Sequence, residues 1–166
     1  MPQVAGTSVK DAITSAVTDA FDTMVSLPIV AREKIEPGTS TSAFIGPERL
    51  VGTVGFAGHL QGLLCLHFSP PFAQEITALM LGMEPGDVEE FEDINDAIGE
   101  LTNIIAGDLK TRFSRPGNPC SLSIPSITRG TRVEIESVSG AERHCFFFVA
   151  GNNPLLVELY IRESAA

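Results

Sequence analysis

Positive charge is scarce in this chain of 166 residues: 11 Lys and Arg stand against 21 Asp and Glu, a formal net charge of -10. Such a surface is a poor match for nucleic-acid phosphates and for anionic lipid. Neither a nucleic-acid nor a membrane partner is expected. The acidity selects no partner by itself, since net charge mostly governs solubility. Cysteine is sparse too, at Cys65, Cys120 and Cys145. An odd number without C-x-x-C spacing gives neither a disulfide framework nor a zinc site. Each lies in an apolar stretch, where a free thiol behaves as a small hydrophobe. No apolar run reaches the roughly 20 residues of a membrane span. The start, "MPQVAGTSVKDAI", lacks the basic region and apolar run of a secretion signal. The expectation is a cytoplasmic protein.

Common catalytic signatures are missing as well. There is no G-x-S-x-G nucleophile elbow. The glycines of "GFAGHLQG" lead into a strand and not a helix, so they form no nucleotide-binding loop. The acidic segment Glu84 to Asp93 lacks the spacing of a calcium loop. His144 and Cys145 are adjacent, so in a strand they face opposite ways and form no dyad. His59 falls at a turn. His67 shares a strand face with Cys65 and reads as a buried, hydrogen-bonded histidine. No metal ligands are assigned.

What remains is ordinary globular chemistry, 43% apolar and 19% charged, long enough for a real core. One domain spanning 1–166 is expected. Residues 7 to 26 read as an amphipathic helix with Thr7 or Ser8 as cap, Ile13, Val17, Ala20, Phe21 and Met24 inward, and Pro28 as terminator. "IVAREKI" reads as a short strand and "EPGTSTSAFIGPE" as a loop. "RLVGTVGFAG" and "LQGLLCLHFS" form a strand pair turning near Gly58 and His59, the second strand central in its sheet. Ser69 caps a helix from Pro70 or Pro71. Its stripe is Phe72, Ile76, Leu79 and Met80, and Gly82 closes it. After the acidic connector "MEPGDVEEFED" comes a long helix, Glu92 to Phe113, stopped by "RPGNP". Strands follow over Cys120–Thr128, Thr131–Val138, Arg143–Ala150 and Pro154–Arg162, with turns at Gly130, Ser139-Gly140 and Gly151-Asn152-Asn153. The order predicts an α+β fold, helices packed on a largely antiparallel β-sheet.

The long helix carries the functional signal. At about 100° per residue, Ile94, Ala97, Ile98, Leu101, Ile104, Ile105 and Leu109 form a core-facing arc. The opposite arc collects Asp96, Gly99, Glu100, Asn103, Gly107 and Lys110. Glu100 and Asn103 project together, one turn apart. Glycine costs about 1 kcal/mol in a helix, so a face with two of them suits close approach by another protein better than isolated stability; on spacing alone, a solvated face with two incidental glycines is the other reading. A carboxamide is no base, but its C=O can hold a water while its NH₂ binds another oxygen. A carboxylate one turn away can anchor a Lys or Arg of a partner. The missing half, an electrophile with its metal, would have to come from elsewhere.

"AIGELTNIIAGDLKTRF", Ala97 to Phe113, contains an E-x-x-N motif as Glu100 and Asn103, followed by Ala106-Gly107. "SIPSITRG", Ser123 to Gly130, supplies a Pro-containing strand, and "VGTVGFAGHLQGLLCLHFS" then "ITALMLGM" a strand pair and helix. On these stretches the chain resembles the CheX and CheC family of chemotaxis phosphatases, and its CheX branch, having one motif and not two. The resemblance implies a phosphatase acting on a phosphorylated CheY-type response regulator. Asn103 would orient water against the aspartyl phosphate and Glu100 would pair with a regulator Lys. Asp96, Gly99, Gly107 and Lys110 would surround them as partner-binding residues, the glycines clearing space for regulator loops. The Mg²⁺ would belong to the regulator, with no intrinsic cofactor. It also implies a homodimer through edge strands, to which the apolar "CFFFVAG" and "LLVELYI" are candidates, though core placement suits them equally. Thr102, Ile104 and Ile105 receive no role. A non-catalytic module that docks a regulator is the alternative reading.

Overall fold

The computed structural model describes residues 2–34, 42–137 and 139–164. A short pair, β1 (Gln3–Val4) and β2 (Thr7–Ser8), leads into α1 (Val9–Ala20). Ser8 caps α1, its hydroxyl accepting from the Asp11 amide at 3.3 Å. A π-helical turn, Phe21–Val25, extends it, and Ser26 ends it in a left-handed conformation with φ 57°. The helix therefore stops two residues before Pro28, the expected terminator. The "IVAREKI" segment contains β3 (Val30–Lys34). Part of the expected loop, residues 35–41, lies outside the described residues; beyond it stands a single turn, α2 (Ser42–Ile45).

The hairpin of β4 (Glu48–Gly58) and β5 (Leu60–Phe68) turns at His59 as expected. The helix α3 (Pro70–Leu81) follows, capped by the Ser69 hydroxyl on the Phe72 amide at 3.3 Å and closed by Gly82 at φ 68°. Its buried stripe differs from the expected one: Leu79 is 44% exposed, and Ala73, Thr77 and Ala78 go inward with Phe72 and Ile76. Thr77 tolerates burial because its hydroxyl donates to the Ala73 carbonyl at 2.7 Å, leaving no orphaned polar group. In the acidic connector, Gln74 donates to the Pro85 and Val88 carbonyls.

The long helix α4 (Phe91–Phe113) starts one residue before its expected position. Glu92 and Asp93 occupy its first turn and Lys110 and Arg112 its last, matching the helix dipole. The strands β6 (Cys120–Leu122), β7 (Ser126–Thr131), β8 (Glu142–Ala150) and β9 (Asn153–Glu163) complete the chain. Three expectations fail here. The strand expected over Cys120–Thr128 breaks at Ser123 to Pro125. Gly130 lies inside β7, paired with Arg49, and not at a turn. Residues 133–137 form no strand; Arg132 turns the chain away with φ 58°. Val138 lies outside the described residues.

The sheet order is β3-β8-β9-β5-β4, with β6 and β7 sharing the outer edge of β4, and every pairing is antiparallel. The architecture is α+β, with α1, α3 and α4 on a largely antiparallel sheet. The apolar strands β8 and β9 are interior, so "CFFFVAG" and "LLVELYI" are core and not edge. Leu50, Val54, Leu64, Leu66, Phe148, Val157 and Leu159 join the helices in the main core. A smaller cluster of Ile45, Cys145 and Leu156, with the tilted rings of Phe44 and Phe147 5.0 Å apart, sits apart from it.

A buried polar network knits β4, β5, β8 and β9. Arg49, His67 and Glu158 are 1%, 1% and 3% exposed. Glu158 Oε1 lies 2.6 Å from His67 Nε2, and Oε2 accepts from Arg143 Nε at 2.6 Å and the Tyr160 hydroxyl at 2.9 Å. Arg49 Nη1 lies 3.3 Å from His67 Nδ1, and Nη2 donates to the Gly46 carbonyl at 3.1 Å. With Arg49 as donor, Nδ1 is the acceptor, and Nε2 lies against the Glu158 carboxylate. His67 is thus buried and hydrogen-bonded as expected. Burial alone would raise the Glu158 pKa; His67, Arg143 and Tyr160 outweigh it and hold the carboxyl at about 2. Burial and the Glu158 charge push the Cys65 thiol well up, consistent with inert packing.

Candidate functional site

The helix α4 lies close to β4 because of one missing side chain. A Cβ on Gly52 would fall 2.3 Å from Thr102 Oγ1. Thr102 is fully buried, its hydroxyl donating to the Ile98 carbonyl at 2.6 Å. It is a contact between helix and sheet, a role the sequence did not assign. Ile98, Leu101, Ile105 and Leu109 are fully buried, while Ile104 is half-buried against the core. The opposite face is thereby held outward on a rigid element.

That face carries polar groups of two kinds. Some are satisfied within the protein. Arg112 forks onto Asp108 at 3.0 and 3.2 Å and reaches Asp19 of α1 at 3.2 Å. Asn95 accepts from Arg129 at 2.8 Å, and the Arg129 guanidinium lies 4.5 Å from the Phe91 ring centre. Others are not. Among the described residues, the side chains of Asp96, Glu100, Asn103 and Lys110 make no hydrogen bond or ion pair. Asp96 and Glu100 are exposed, and Asn103 and Lys110 half-buried. Glu100 and Asn103 are thus two unpaired, complementary groups about 4.5 Å apart along the helix axis.

The two glycines separate. Gly107 faces open space, with nothing within 4 Å of the position a Cβ would take. Gly99 is buried and not bare on the polar face: a Cβ there would meet Pro125 Cβ at 3.7 Å. The loop from β6 to β7 folds over it. Asn95, Asp96, Gly99, Glu100, Pro125 and Ile127 then line an open hollow of about 520 Å³ beside the helix. Lys110 lines another, of about 410 Å³, with Ser114, Arg115, Asn118 and Pro119. The wall made by Pro125 was missed in the sequence, although a proline within a strand is itself a sign of a bulge or edge.

A water held at Asn103 would find an acceptor in the carboxamide oxygen and leave the NH₂ to bind a second oxygen. Glu100 beside it offers a carboxylate to a cation.

Comparison with known proteins places the chain in a family. Residues 50–149 match the family described as chemotaxis phosphatase CheX. The chain belongs to the CheX family. It is 32% identical over 108 residues to the CheY-P phosphatase CheX of Thermotoga maritima, covering 62% of this chain and 68% of that protein. Among solved structures it resembles the chemotaxis protein CheX of Desulfovibrio desulfuricans, with TM-score 0.75, 22% identity and coverage of 92% of this chain and 97% of that one. It also resembles the CheX–CheY–BeF₃–Mg²⁺ complex of Borrelia burgdorferi, with TM-score 0.71, 21% identity and coverage of 94% and 99%. The CheX match spans β4 through most of β8 and so includes α4 with Glu100 and Asn103. No helix among the described residues is long and apolar enough to cross a membrane.

Proposed function

We propose that this protein is a cytoplasmic phosphatase that hydrolyses the aspartyl phosphate of a CheY-type response regulator. The observation that carries the reading is the pair Glu100 and Asn103, unpaired among the described residues and presented by a helix whose other face packs into the core. The 32% identical relative, named as a CheY-P phosphatase, supports the reaction class, and the Borrelia burgdorferi complex supports a CheY partner.

In this reading α4 presses its polar face onto the regulator's phosphorylated pocket. The Asn103 carbonyl oxygen accepts from a water, and its NH₂ donates to a phosphoryl oxygen. Water attacks phosphorus, the bond to the aspartyl oxygen breaks, and inorganic phosphate and a free carboxylate result. Asn103 supplies orientation and no proton transfer. Glu100 anchors a regulator Lys in a charge-assisted contact. Asp96, Gly107 and Lys110 contact the partner around them, and Gly99 acts beneath them by seating Pro125. The Mg²⁺ is held by the regulator. A homodimer through sheet edges is compatible with this reading and is not needed for it.

Phosphate release from a phosphorylated CheY-type receiver, measured with the protein far below stoichiometric amounts, tests the proposal. Multiple turnovers are expected; binding without turnover would reduce the protein to a docking module. Two variants probe the face. Glu100→Lys sets like charges together and is expected to weaken receiver binding at least tenfold by titration. An unchanged affinity would remove Glu100 from the interface. Gly107→Leu meets open space and adds helix propensity of about 0.5–1 kcal/mol. An equal or higher melting temperature with weaker receiver binding is expected. Full affinity would place Gly107 in solvent.

A further inference from the structure

The polar face of α4 changes sign along its length. Asp96, Asn103 and Lys110 follow one another at two-turn spacing, so they lie on one stripe, each about 10.5 Å from the next along the axis. The stripe runs from carboxylate through carboxamide to ammonium, and Glu100 reinforces its acidic half. Gly107, facing open space, leaves the stretch between Asn103 and Lys110 bare. The helix dipole favours Lys110 in the last turn, but it fades within a turn of each end and does not account for Glu100 in mid-helix.

Each pole lines a hollow. Asp96 and Glu100 line the one walled by Pro125. Lys110 lines the other, where Arg115, just past the end of the helix, joins it. No carboxylate lines this second hollow among the described residues, and neither Lys110 nor Arg115 makes a side-chain hydrogen bond or ion pair. Two carboxylates of neighbouring elements are committed elsewhere. Asp108 is forked by Arg112, and Glu163, which lines the adjoining hollow with Arg115, accepts from the Ala5 amide. Two like charges thus share a hollow without a counter-ion, in a chain of formal net charge -10. An anion brought from outside would relieve that repulsion and make charge-assisted hydrogen bonds.

We propose that Lys110 and Arg115 form a cationic docking subsite for a carboxylate-bearing segment of the response regulator, and that the two poles together fix the direction in which the regulator lies along α4. Basic groups of the regulator meet Asp96 and Glu100, and acidic groups meet Lys110 and Arg115. This rests on the phosphatase reading above. The regulator is the occupant because a partner seated on Asn103 also covers Lys110. A standard interface buries about 800 Å² per partner, a patch roughly 30 Å across, and Lys110 lies only about 10.5 Å from Asn103 on the same stripe. The reversed orientation would set like charges together at both poles.

The test exchanges the poles. Asp96→Lys combined with Lys110→Asp reverses the stripe and leaves the formal net charge at -10. Arg115→Glu changes the basic hollow alone, at an exposed position outside the helix. Kd for the beryllofluoride-loaded CheY-type receiver of the same genome, KM and kcat for the phosphorylated one, and thermal unfolding are measured at low and high salt. The exchange is expected to raise Kd and KM about tenfold or more, and Arg115→Glu several-fold, both rises shrinking as salt is added. The kcat at saturating receiver should stay within a few-fold of wild type. An unchanged Kd in Arg115→Glu would overturn this inference and leave the phosphatase reading standing. So would a rise that salt does not diminish. Binding of inorganic phosphate by wild type and not by Arg115→Glu, with equal receiver affinity in the two, would make the hollow a phosphate site and overturn it as well. A wild-type protein that dephosphorylates none of the genome's CheY-type receivers would overturn both readings.

Discussion

Asn103→Ala is expected to lower the dephosphorylation rate by about 10²–10³ at saturating regulator while leaving regulator affinity within a few-fold of wild type. The magnitude is that of removing one preorganised polar contact to the reacting groups, about 3–4 kcal/mol. The split between rate and affinity follows from the position of Asn103. Its side chain has no intramolecular partner among the described residues, so its loss leaves no orphaned group in the fold. The α4 helix is held by Ile98, Leu101, Ile105 and Leu109, all fully buried, and by the Thr102 contact over Gly52. Alanine is a better helix former than asparagine, so the melting temperature should hold or rise. Measuring kcat, Kd for the beryllofluoride-loaded regulator and thermal unfolding on one preparation separates the terms. A near wild-type rate would remove Asn103 from the mechanism.

Glu158→Gln is expected to destabilise the protein by about 3 kcal/mol at neutral pH, or roughly 6–12 °C in Tm for a chain of this size. Glu158 sits at the centre of the buried network with His67, Arg143 and Tyr160, and its pKa is held from 4.5 down to about 2. A carboxyl whose folded pKa is depressed contributes stability that is fully present above its unfolded value. That contribution falls as pH drops through the folded pKa. The difference between wild type and Glu158→Gln should therefore be constant above pH 5, shrink between pH 4.5 and pH 2, and vanish below. Denaturant unfolding across that range is the measurement. A pH-independent difference would mean that packing and not charge accounts for the loss. Because the network lies among the sheet strands and not on α4, kcat should stay near wild type wherever the variant is folded.

Periodicity made most of the fold legible. The three packed helices and the β4–β5 hairpin follow from apolar spacing, Ser caps and Gly closures, which are local signals. The errors come from long-range contacts. Leu79 looked buried on helical spacing, but a self-satisfied Thr77 took the inward position. Pro125 and its neighbours read as continuous strand because their apolar character suits one. The bulge appears only when β4 pairs with both sides of it. At the site, Glu100 and Asn103 were legible because they are an i, i+3 pair on one helix. Gly99 was misplaced because what covers it comes from a strand edge 26 residues later in the chain. The Arg49–His67–Glu158 network joins three strands and left no pattern within any of them beyond a histidine on an apolar face.

The most direct test of the central claim is the lifetime of a phosphorylated CheY-type receiver in the presence of this protein at about one part in a hundred. Hydrolysis accelerated well beyond one equivalent, and reduced by about 10²–10³ in Asn103→Ala, is the expected result. A receiver that binds the protein tightly, yet loses phosphate no faster than it does alone, would contradict it.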